Sequence, residues 1–258
     1  MDLHAIHNLT VATYNVHSSV GRDRACDPDR ILAVLDEIRP DLMALQEVGH
    51  RYIDGPKGDQ FAYFEARTGM HAVPGLNLLF GRRPFGNILL SRWPVLAVRR
   101  VDLSIEGREP RGAIDVELDV AGQRLRVVAT HLGLWPGERR RQIERLRHAL
   151  AHEPYVPTII MGDFNIYGRG RRILQQLGAP MGRKDAPASF PARLPLLGLD
   201  RIWTRPNALL HSVRVHRSPL ACAASDHLPV VARIGLHHAH AMAAANEMAA
   251  LDERRATG

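Results

Sequence analysis

Short runs of β-branched and other apolar residues recur along the chain, separated by glycine, proline and polar residues. Such runs predict β-strands. The clearest is 114–120, where apolar and acidic residues alternate strictly, so we expect one face in the core and the other in water. Ala121 and Gly122 predict a tight turn into the following strand. The predicted strands are 9–15, 42–47, 86–91, 113–120, 125–130, 158–162, 199–204, 212–215 and 228–234.

Two segments carry apolar residues at helical spacing. The first begins with Asp27 as the capping residue and Pro28 in the first helical position, and it ends at Pro40. Its predicted buried face comprises Ile31, Leu35 and Ile38. The second spans about 137–152 and buries Ile143, Leu146 and Leu150. Its arginines, mostly on other faces, favour a solvated surface over a substrate contact; they are Arg139, Arg140, Arg141, Arg145 and Arg147.

Strands and helices follow one another without a repeat or a low-complexity linker, which favours one domain over residues 1–235. The composition then changes to alanine and histidine, and 236–258 is predicted to be a terminal helix or a tail. Its histidines at 237, 238 and 240 could bind a metal adventitiously, but a mobile tail is the better interpretation.

The composition is typical of a globular protein, with 258 residues of which 45% are hydrophobic. No apolar run approaches the roughly 20 residues of a membrane-spanning helix, and the N-terminus does not resemble a secretory signal, so we expect a cytoplasmic protein without membrane insertion. Cys26 and Cys222 are far apart, which excludes a disulfide scaffold and a zinc motif.

The net charge is +7, and nearly all the basic residues are arginine. This charge suits a partner that carries phosphate, although a compositional bias toward arginine would produce the same excess. Aromatic residues make up only 5% of the chain, too few to indicate a stacking platform for single-stranded nucleic acid. No protein partner is indicated.

Polar residues stand at the ends of several predicted strands. Asn15 ends the first strand and Glu47 ends the second. Hydrolysis of a phosphodiester requires a divalent cation, an activated water and stabilisation of the leaving oxygen, and two oxygen ligands at strand tips can hold Mg²⁺. Taken singly, Asn15 is more often a turn residue and Glu47 an ordinary carboxylate.

A buried strand at 158–162 runs into Gly162, Asp163, Phe164 and Asn165. Gly162 would let the backbone approach a ligand, and alternation places Asp163 and Asn165 on one side. A carboxylate there can deprotonate water, and an amide can donate to a phosphate oxygen. The alternative is an Asx turn after a strand.

Histidine and aspartate near the C-terminus complete the set of candidates. His227 follows Ser225 and Asp226 at the start of a strand, and Asp200 lies upstream as its partner. A charged imidazolium could then contact a phosphate. An Asp-His pair is more often a loop hydrogen bond, and His131, at the end of another strand, is commonly structural.

Taken together, these segments resemble the endonuclease/exonuclease/phosphatase superfamily, which includes DNase I, apurinic endonucleases, sphingomyelinases and inositol-polyphosphate phosphatases. The resemblance extends over about residues 9–235, and small bacterial members are most alike. The motifs, in family order, are YNVH (14–17), LQEV (45–48), GNILLSR (86–92), EPRGA (109–113), THLG (130–133), GDFN (162–165), LDRIW (199–203) and SDHLPV (225–230).

The resemblance implies a four-layer α/β sandwich, DNase I-like, in which two packed and mainly antiparallel β-sheets are flanked by helices, with the site at one rim. It also implies a cofactor, Mg²⁺, with Mn²⁺ as an alternative ion. By this resemblance the metal ligands would be Asn15 and Glu47, with Asp226 as a further candidate for metal or water contact.

The resemblance also implies roles in catalysis. Asp163 would orient or activate the attacking water, and Asn165 would contact the scissile phosphate. His227, held by Asp200, would stabilise the pentacovalent phosphorus. His131 stands where apurinic endonucleases have tyrosine, which argues against abasic-site repair. A histidine at position 17 replaces their aspartate and puts a second metal ligand in doubt.

Asn87, Arg108 and Arg111 are candidate phosphate contacts, although Arg111 could equally form a structural salt bridge. The region between Asp163 and Asp200 should read the substrate but offers no obvious base pocket.

The leading hypothesis is a Mg²⁺-dependent phosphodiesterase that cleaves DNA or RNA. The alternatives are a phospholipid phosphodiesterase resembling sphingomyelinases, a phosphatase of a phosphorylated small molecule, and a binding module that has lost catalysis. The last is disfavoured because every expected catalytic position is retained.

Overall fold

The computed structural model describes residues 8–49, 58–80, 83–151, 156–180 and 186–236. Within these ranges the chain forms helices α1 (Pro28–Ile38), α2 (Gln60–Thr68), α3 (Pro136–Leu150) and α4 (Pro219–Ala224). The strands are β1 (Asn8–Asn15), β2 (Leu42–Gly49), β3 (His71–Phe80), β4 (Arg83–Ser91), β5 (Val95–Asp102), β6 (Gly112–Val120), β7 (Gln123–His131), β8 (Thr158–Asp163), β9 (Asp200–Arg205), β10 (Leu210–Val215) and β11 (Val230–Gly235).

The strands form two sheets. One has the order β10-β11-β1-β2-β4-β3 and the other β5-β6-β7-β8-β9. Each sheet contains one parallel pair, β1 with β2 and β7 with β8, and the other described pairs are antiparallel. The predicted DNase I-like sandwich with mainly antiparallel sheets is therefore confirmed.

Three apolar clusters hold the layers together. The central cluster lies between the sheets and takes residues from both, such as Leu42, Val116 and Ile159. The second lies under α1, α2 and α4, on the outer face of the six-stranded sheet. The third lies under α3 and the 3-10 segment Gly168–Leu177, on the outer face of the five-stranded sheet. Burial on both faces explains why β2 and β8 contain continuous apolar runs.

Short-range sequence patterns predicted the strands, the start of α1 and one hairpin turn correctly. All nine predicted strands are present, with ends within three residues of the prediction. The Asp27 carboxylate accepts hydrogen bonds from the first turn of α1, as its capping position predicts. Ala121 and Gly122 both have positive φ, 51° and 86°, as a two-residue type I′ hairpin requires.

The expectation of a wet face on β6 is wrong. Asp115 and Glu117 point away from the central core and are nevertheless buried. The Asp115 carboxylate accepts two hydrogen bonds from Arg126, at 2.9 and 2.6 Å, and one from Arg99 at 3.1 Å. Because arginines neutralise the acids and cover them, the alternation marks a face of ion pairs instead of a solvated one.

Two further expectations concern the Ala/His-rich C-terminal segment and the absence of a membrane-spanning helix. The Ala/His-rich segment lies outside the described residues from position 237 onward. None of the described helices is long and apolar enough to cross a membrane.

Candidate active site

Four candidate residues stand at the carboxyl ends of the two parallel strand pairs. Asn15 ends β1 and Glu47 lies near the end of β2, while His131 and Asp163 end β7 and β8 and are paired directly in register. Parallel neighbours end at the same edge of a sheet, so each pair delivers its polar side chains to one edge. A hydrogen bond from Asn15 Nδ2 to Asp163 Oδ2, at 3.2 Å, joins the two edges.

Glu47 reaches this rim through an irregularity in β2. The pairing of β2 with β4 shifts register between Leu45 and Val48, and Glu47 has φ of 55°, in the left-handed region. A bulge re-aims a side chain out of the strand's regular alternation. Glu47 is half-buried, in contrast to its fully buried neighbours in the strand.

The Asn15 amide lies between two carboxylates. Its Nδ2 donates to Glu47 Oε1 at 3.0 Å as well as to Asp163 Oδ2, and its Oδ1 accepts the His17 amide hydrogen at 3.0 Å. Two carboxylates and an amide oxygen form the hard oxygen donor set that Mg²⁺ prefers. The residues present therefore fit a divalent cation beside Glu47 and Asn15.

His227 is held between two aspartates. Its Nδ1 lies 2.8 Å from Asp200 Oδ2, and its Nε2 lies 3.8 Å from Asp163 Oδ2. The register explains the arrangement, because Asp200 opens β9 directly opposite Asp163 at the end of β8. All three side chains are buried.

The burial and the neighbouring charges shift the pKa values of Asp163 and His227. Burial and the neighbouring Asp200 carboxylate raise the pKa of Asp163 to about 7, although His227 opposes the change. Burial lowers the pKa of His227, but the charges of Asp200, Asp163 and Asp226 outweigh it and raise the pKa to about 10. Near neutral pH the imidazole is therefore a cation, and Asp163 can accept or release a proton.

Asp163, Asp200 and His227 also form a compact group whose potential ligand atoms lie within 4.8 Å of one another. Asp200 Oδ2 already accepts a hydrogen bond from Ser189 Oγ at 2.5 Å and contacts His227 Nδ1. Asp200 Oδ1, by contrast, is buried and has no hydrogen-bond partner among the described residues, so this group and the pair Glu47 and Asn15 are both candidates to hold a cation.

The second histidine of the site is held by Asn165. The Asn165 Nδ2 atom lies 3.2 Å from His131 Nε2 and donates to the Leu132 carbonyl at 2.9 Å. His131 Nε2 also lies 3.7 Å from Asp163 Oδ2. The Asn165 amide nitrogen donates to Asp163 Oδ1 at 2.9 Å, so the alternative Asx turn is present and lies within the site. Donation from Asn165 to a phosphate would replace its contact with His131.

The structure gives a reason for glycine at position 162 that the sequence did not indicate. Its φ is +143°, and a Cβ there would lie 1.9 Å from the Thr130 carbonyl oxygen of β7. The glycine is therefore required by the close approach of the neighbouring strand. The expectation that it lets the backbone approach a ligand stays a prediction.

The candidate phosphate contacts are divided between two places. Asn87 lies opposite the β2 irregularity that carries Glu47, and with Arg111 it lines a cavity of about 240 Å³. Asn87 Oδ1 is buried and has no hydrogen-bond partner among the described residues. Arg111 forms the structural ion pair that the sequence left open, with Glu109 at 2.7 Å. Arg108 instead stacks on Trp135.

Asp226 makes no described hydrogen bond to Asn15 or Glu47, the ligands expected for the cation. Its carboxylate is 45% exposed and lies 3.9 Å from His17 Nδ1 and 3.3 Å from Ser225 Oγ. Its metal role remains an expectation from the family resemblance alone.

Three supporting residues were missed by the sequence reasoning. Ser189 donates to Asp200, and the ring of Phe190 lies 4.7 Å from the His227 ring, centroid to centroid. Ser225 donates to the Asn15 carbonyl at 2.8 Å and accepts from the His227 amide at 3.3 Å. Ser189 and Phe190, which lie in the segment expected to read the substrate, therefore support the Asp200–His227 pair. No spacing in the sequence pairs them with it.

The family model described as Endonuclease/Exonuclease/phosphatase family matches residues 12–227. The chain belongs to this family. Its members are typically hydrolases of phosphoester bonds and generally use a divalent metal. The match includes every residue of the rim described above, from Asn15 to His227.

Individual relatives agree with this assignment. The chain is 30% identical over 177 residues to the uncharacterized protein YbhP of Escherichia coli K12, covering 63% of this chain and 67% of that protein. An endonuclease/exonuclease/phosphatase from Beutenbergia cavernae superposes with a TM-score of 0.74 at 24% identity, covering 88% and 71% of the two chains. Truncated TDP2 of Caenorhabditis elegans has a TM-score of 0.62 at 18% identity, covering 88% and 97%. These structures share the fold.

Proposed function

We propose that this protein is a Mg²⁺-dependent phosphodiesterase that cleaves nucleic acid. The observation that carries the proposal is Asp163, a buried carboxylate contacted by Asn15, His131 and His227 at the rim where both sheets end. Family membership supports phosphoester hydrolysis, and the net charge of +7 supports a polyanionic substrate.

Each residue would have a separate role in the in-line attack of water on the phosphodiester. As the water oxygen bonds to phosphorus, the opposite bond to the leaving ester oxygen would break. Asp163, with its raised pKa, would take the proton of the water, and the leaving oxygen would gain a proton from solvent. His227 would donate a hydrogen bond to a phosphate oxygen as charge develops there, and Asp200 would keep its ring oriented and charged. His131 lies beside the same Asp163 oxygen and would help to place the phosphate.

Glu47 and Asn15 would hold the Mg²⁺, which when bound would supply positive charge to the phosphate oxygens. Asn87, whose buried oxygen lies opposite the Glu47 irregularity, and Arg111 would orient the remainder of the substrate. Asn165 would reach the phosphate from the Asx turn that follows Asp163.

The test uses supercoiled plasmid, a duplex with an abasic site, RNA and phospholipid vesicles, each with Mg²⁺ or EDTA. Asp163→Asn should lower the rate at least about 100-fold, because it removes the proton acceptor. His227→Gln should lower it similarly. Asp36→Asn on α1 and His71→Gln on β3 are the controls, because both residues are exposed and distant in sequence from the rim motifs.

Each result has a definite meaning. The proposal is supported if the wild type and the two control variants cleave DNA or RNA in a metal-dependent way and the two site variants do not. Turnover restricted to vesicles, or to a phosphate monoester added as a further substrate, would retain the hydrolase and reject the nuclease. Cleavage that persists in EDTA or in both site variants would reject the catalytic assignment.

A further inference from the structure

An exposed aromatic residue lies beside the catalytic rim. The loops that follow β7 and β8 leave the same edge of the sheet, because these strands are parallel and paired up to His131 and Asp163. Trp135, four residues after His131, is 58% exposed, and Tyr167, four residues after Asp163, is 57% exposed. Each loop therefore carries an aromatic side chain from a catalytic strand end into solvent.

The loop that carries Trp135 is held firmly from below. The Trp135 backbone amide donates to Glu138 Oε2 at 3.4 Å, and the Gly133 amide donates to Gln142 Oε1 at 2.9 Å. Glu138 and Gln142 are buried and bonded to each other. Arg139 donates to the carbonyls of Gly133 and Leu134. A large apolar ring held in solvent by a buried polar network is preorganised for contact.

The surroundings of Trp135 favour a flat, anionic ligand. The Arg108 guanidinium lies 5.0 Å from the centre of its ring. A cavity of about 400 Å³ beside the ring is lined by Arg108 and Arg141 and also by Glu106 and Glu138, of which Glu138 is buried and hydrogen-bonded to Gln142. A cavity of this size accommodates a nucleobase. An aromatic face beside two guanidinium groups matches a base and its phosphate.

The two elements next to this loop have a high net positive charge. α3 contains five arginines and two glutamates, and the 3-10 segment Gly168–Leu177 contains three arginines and no acid. These elements share one apolar cluster on the outer face of the five-stranded sheet. They carry a net six positive charges, out of the +7 of the whole chain. We call the seven arginines of these elements whose side chains are described the arginine layer; they are Arg139, Arg140, Arg141, Arg145, Arg147, Arg171 and Arg172.

We propose that Trp135 and the arginine layer form a binding surface for single-stranded nucleic acid, with one base on Trp135 and the flanking phosphates on the arginines. The proposal rests on the nuclease function proposed above and specifies its substrate. The cavity beside the ring favours an inserted base over a lipid surface, although Leu134 is exposed as well. The strand would lead from the arginine layer across the β7 edge to Asp163.

The test measures binding without cleavage, by fluorescence anisotropy of a labelled 12-nucleotide single strand with the full chain in EDTA. Trp135→Ala should weaken binding about 10-fold, since stacking contributes about 1–3 kcal/mol per base, and Trp135→Phe should retain part of the affinity. Leu96→Ala is the control for an exposed apolar side chain, because Leu96 is 54% exposed near the start of β5, at the end of the sheet away from His131.

The arginines are tested by salt dependence. Replacing both Arg141 and Arg172 by alanine should reduce the slope of log affinity against log salt by about 1–2, because each phosphate contact releases counterions. Arg214→Ala on the exposed face of β10, in the other sheet, should leave the slope unchanged. Thermal melting checks that each variant is folded.

The outcomes separate this proposal from the nuclease function. Equal binding by wild type and Trp135→Ala would overturn the proposal even if the wild type hydrolyses bis(p-nitrophenyl) phosphate. Binding that depends on Trp135, without hydrolysis of any phosphodiester, would uphold the surface and reject the nuclease. Binding to anionic phospholipid vesicles in place of the single strand would overturn it in favour of a membrane surface.

Discussion

At the residue scale, the site depends on how Asp200 holds His227. Asp200 Oδ2 contacts both His227 Nδ1 and Ser189 Oγ. Replacing it with asparagine removes the negative charge that keeps the imidazole protonated. We expect Asp200→Asn to lower kcat about 10- to 100-fold with KM little changed, as for other residues that orient a ligand side chain.

Steady-state kinetics on an oligonucleotide separate this positioning role from a loss of folding. Ser189→Ala should give a smaller decrease in kcat, because it removes one of two contacts and leaves the charge. An Asp200→Asn protein with normal kcat, or one whose defect lies only in KM, would contradict the assignment.

A second residue-scale prediction concerns the buried ion pair on β6 and β7. Arg126 makes two hydrogen bonds to Asp115 and a third to the Ala149 carbonyl at the end of α3. Arg126→Met should destabilise the protein by about 3 kcal/mol, at the low end for an unpaired buried charge because Arg99 still contacts Asp115.

Urea unfolding of three proteins tests this prediction. The double variant Asp115→Leu/Arg126→Met should recover much of the lost stability, because it removes both buried charges. If the double variant is less stable than Arg126→Met, the loss does not come from an unpaired carboxylate.

The individual site residues were predictable to different degrees. Asn15, Glu47 and Asp163 stand where apolar strands end, and that position alone marks them as candidates. Ser189 and Phe190 reach His227 only because the chain returns to Asp200 after a turn, which no local pattern specifies. The buried side of β6 was mistaken for a wet one, since alternation shows polarity and not the presence of arginine partners.

At the element scale, the two strands missed by sequence reasoning are both edge strands. β3 contains Pro74 and Gly75, and β5 contains two arginines and is mostly exposed. An edge strand pairs on one side only, so it tolerates proline and needs no continuous apolar run. Central strands such as β2 and β8 are buried on both faces, and their apolar runs identified them.

The junction between α1 and α4 gives an element-scale prediction on pH. Glu37 of α1 accepts from Ser218 Oγ and contacts His216 Nε2, both at 2.6 Å, and Ser218 also caps α4. These contacts lower the pKa of Glu37 below its usual 4.5, so their contribution is complete above that pH and is lost as the pH falls through the lowered value.

Unfolding at several pH values between 3 and 7 tests this linkage. Glu37→Gln should be less stable than wild type at pH 6 by up to about 1 kcal/mol, because the group is partly exposed, and the difference should shrink on acidification. Glu65→Gln on α2 is the control, because Glu65 is exposed and no hydrogen bond is described for its side chain. A difference that grows toward pH 3 would have the wrong sign.

At the scale of the whole molecule, the active-site rim is where the two sheets meet through polar side chains. Asn15 and Glu47 come from the six-stranded sheet, and His131 and Asp163 come from the five-stranded one. The hydrogen bond from Asn15 to Asp163 crosses between them. A cation bound by Glu47 and Asn15 would therefore belong only to the folded state, in which both sheets are assembled.

Binding that requires the folded state must raise the melting temperature. At a Mg²⁺ concentration 100 times its dissociation constant the stabilisation is about 2.7 kcal/mol, which corresponds to about 5–10 °C for a chain of this size. We expect this rise in wild type, measured by circular dichroism against EDTA, and in Glu65→Gln, but little of it in Glu47→Gln. An equal rise in Glu47→Gln would show that Mg²⁺ binds elsewhere and that the ligand assignment at the rim is wrong.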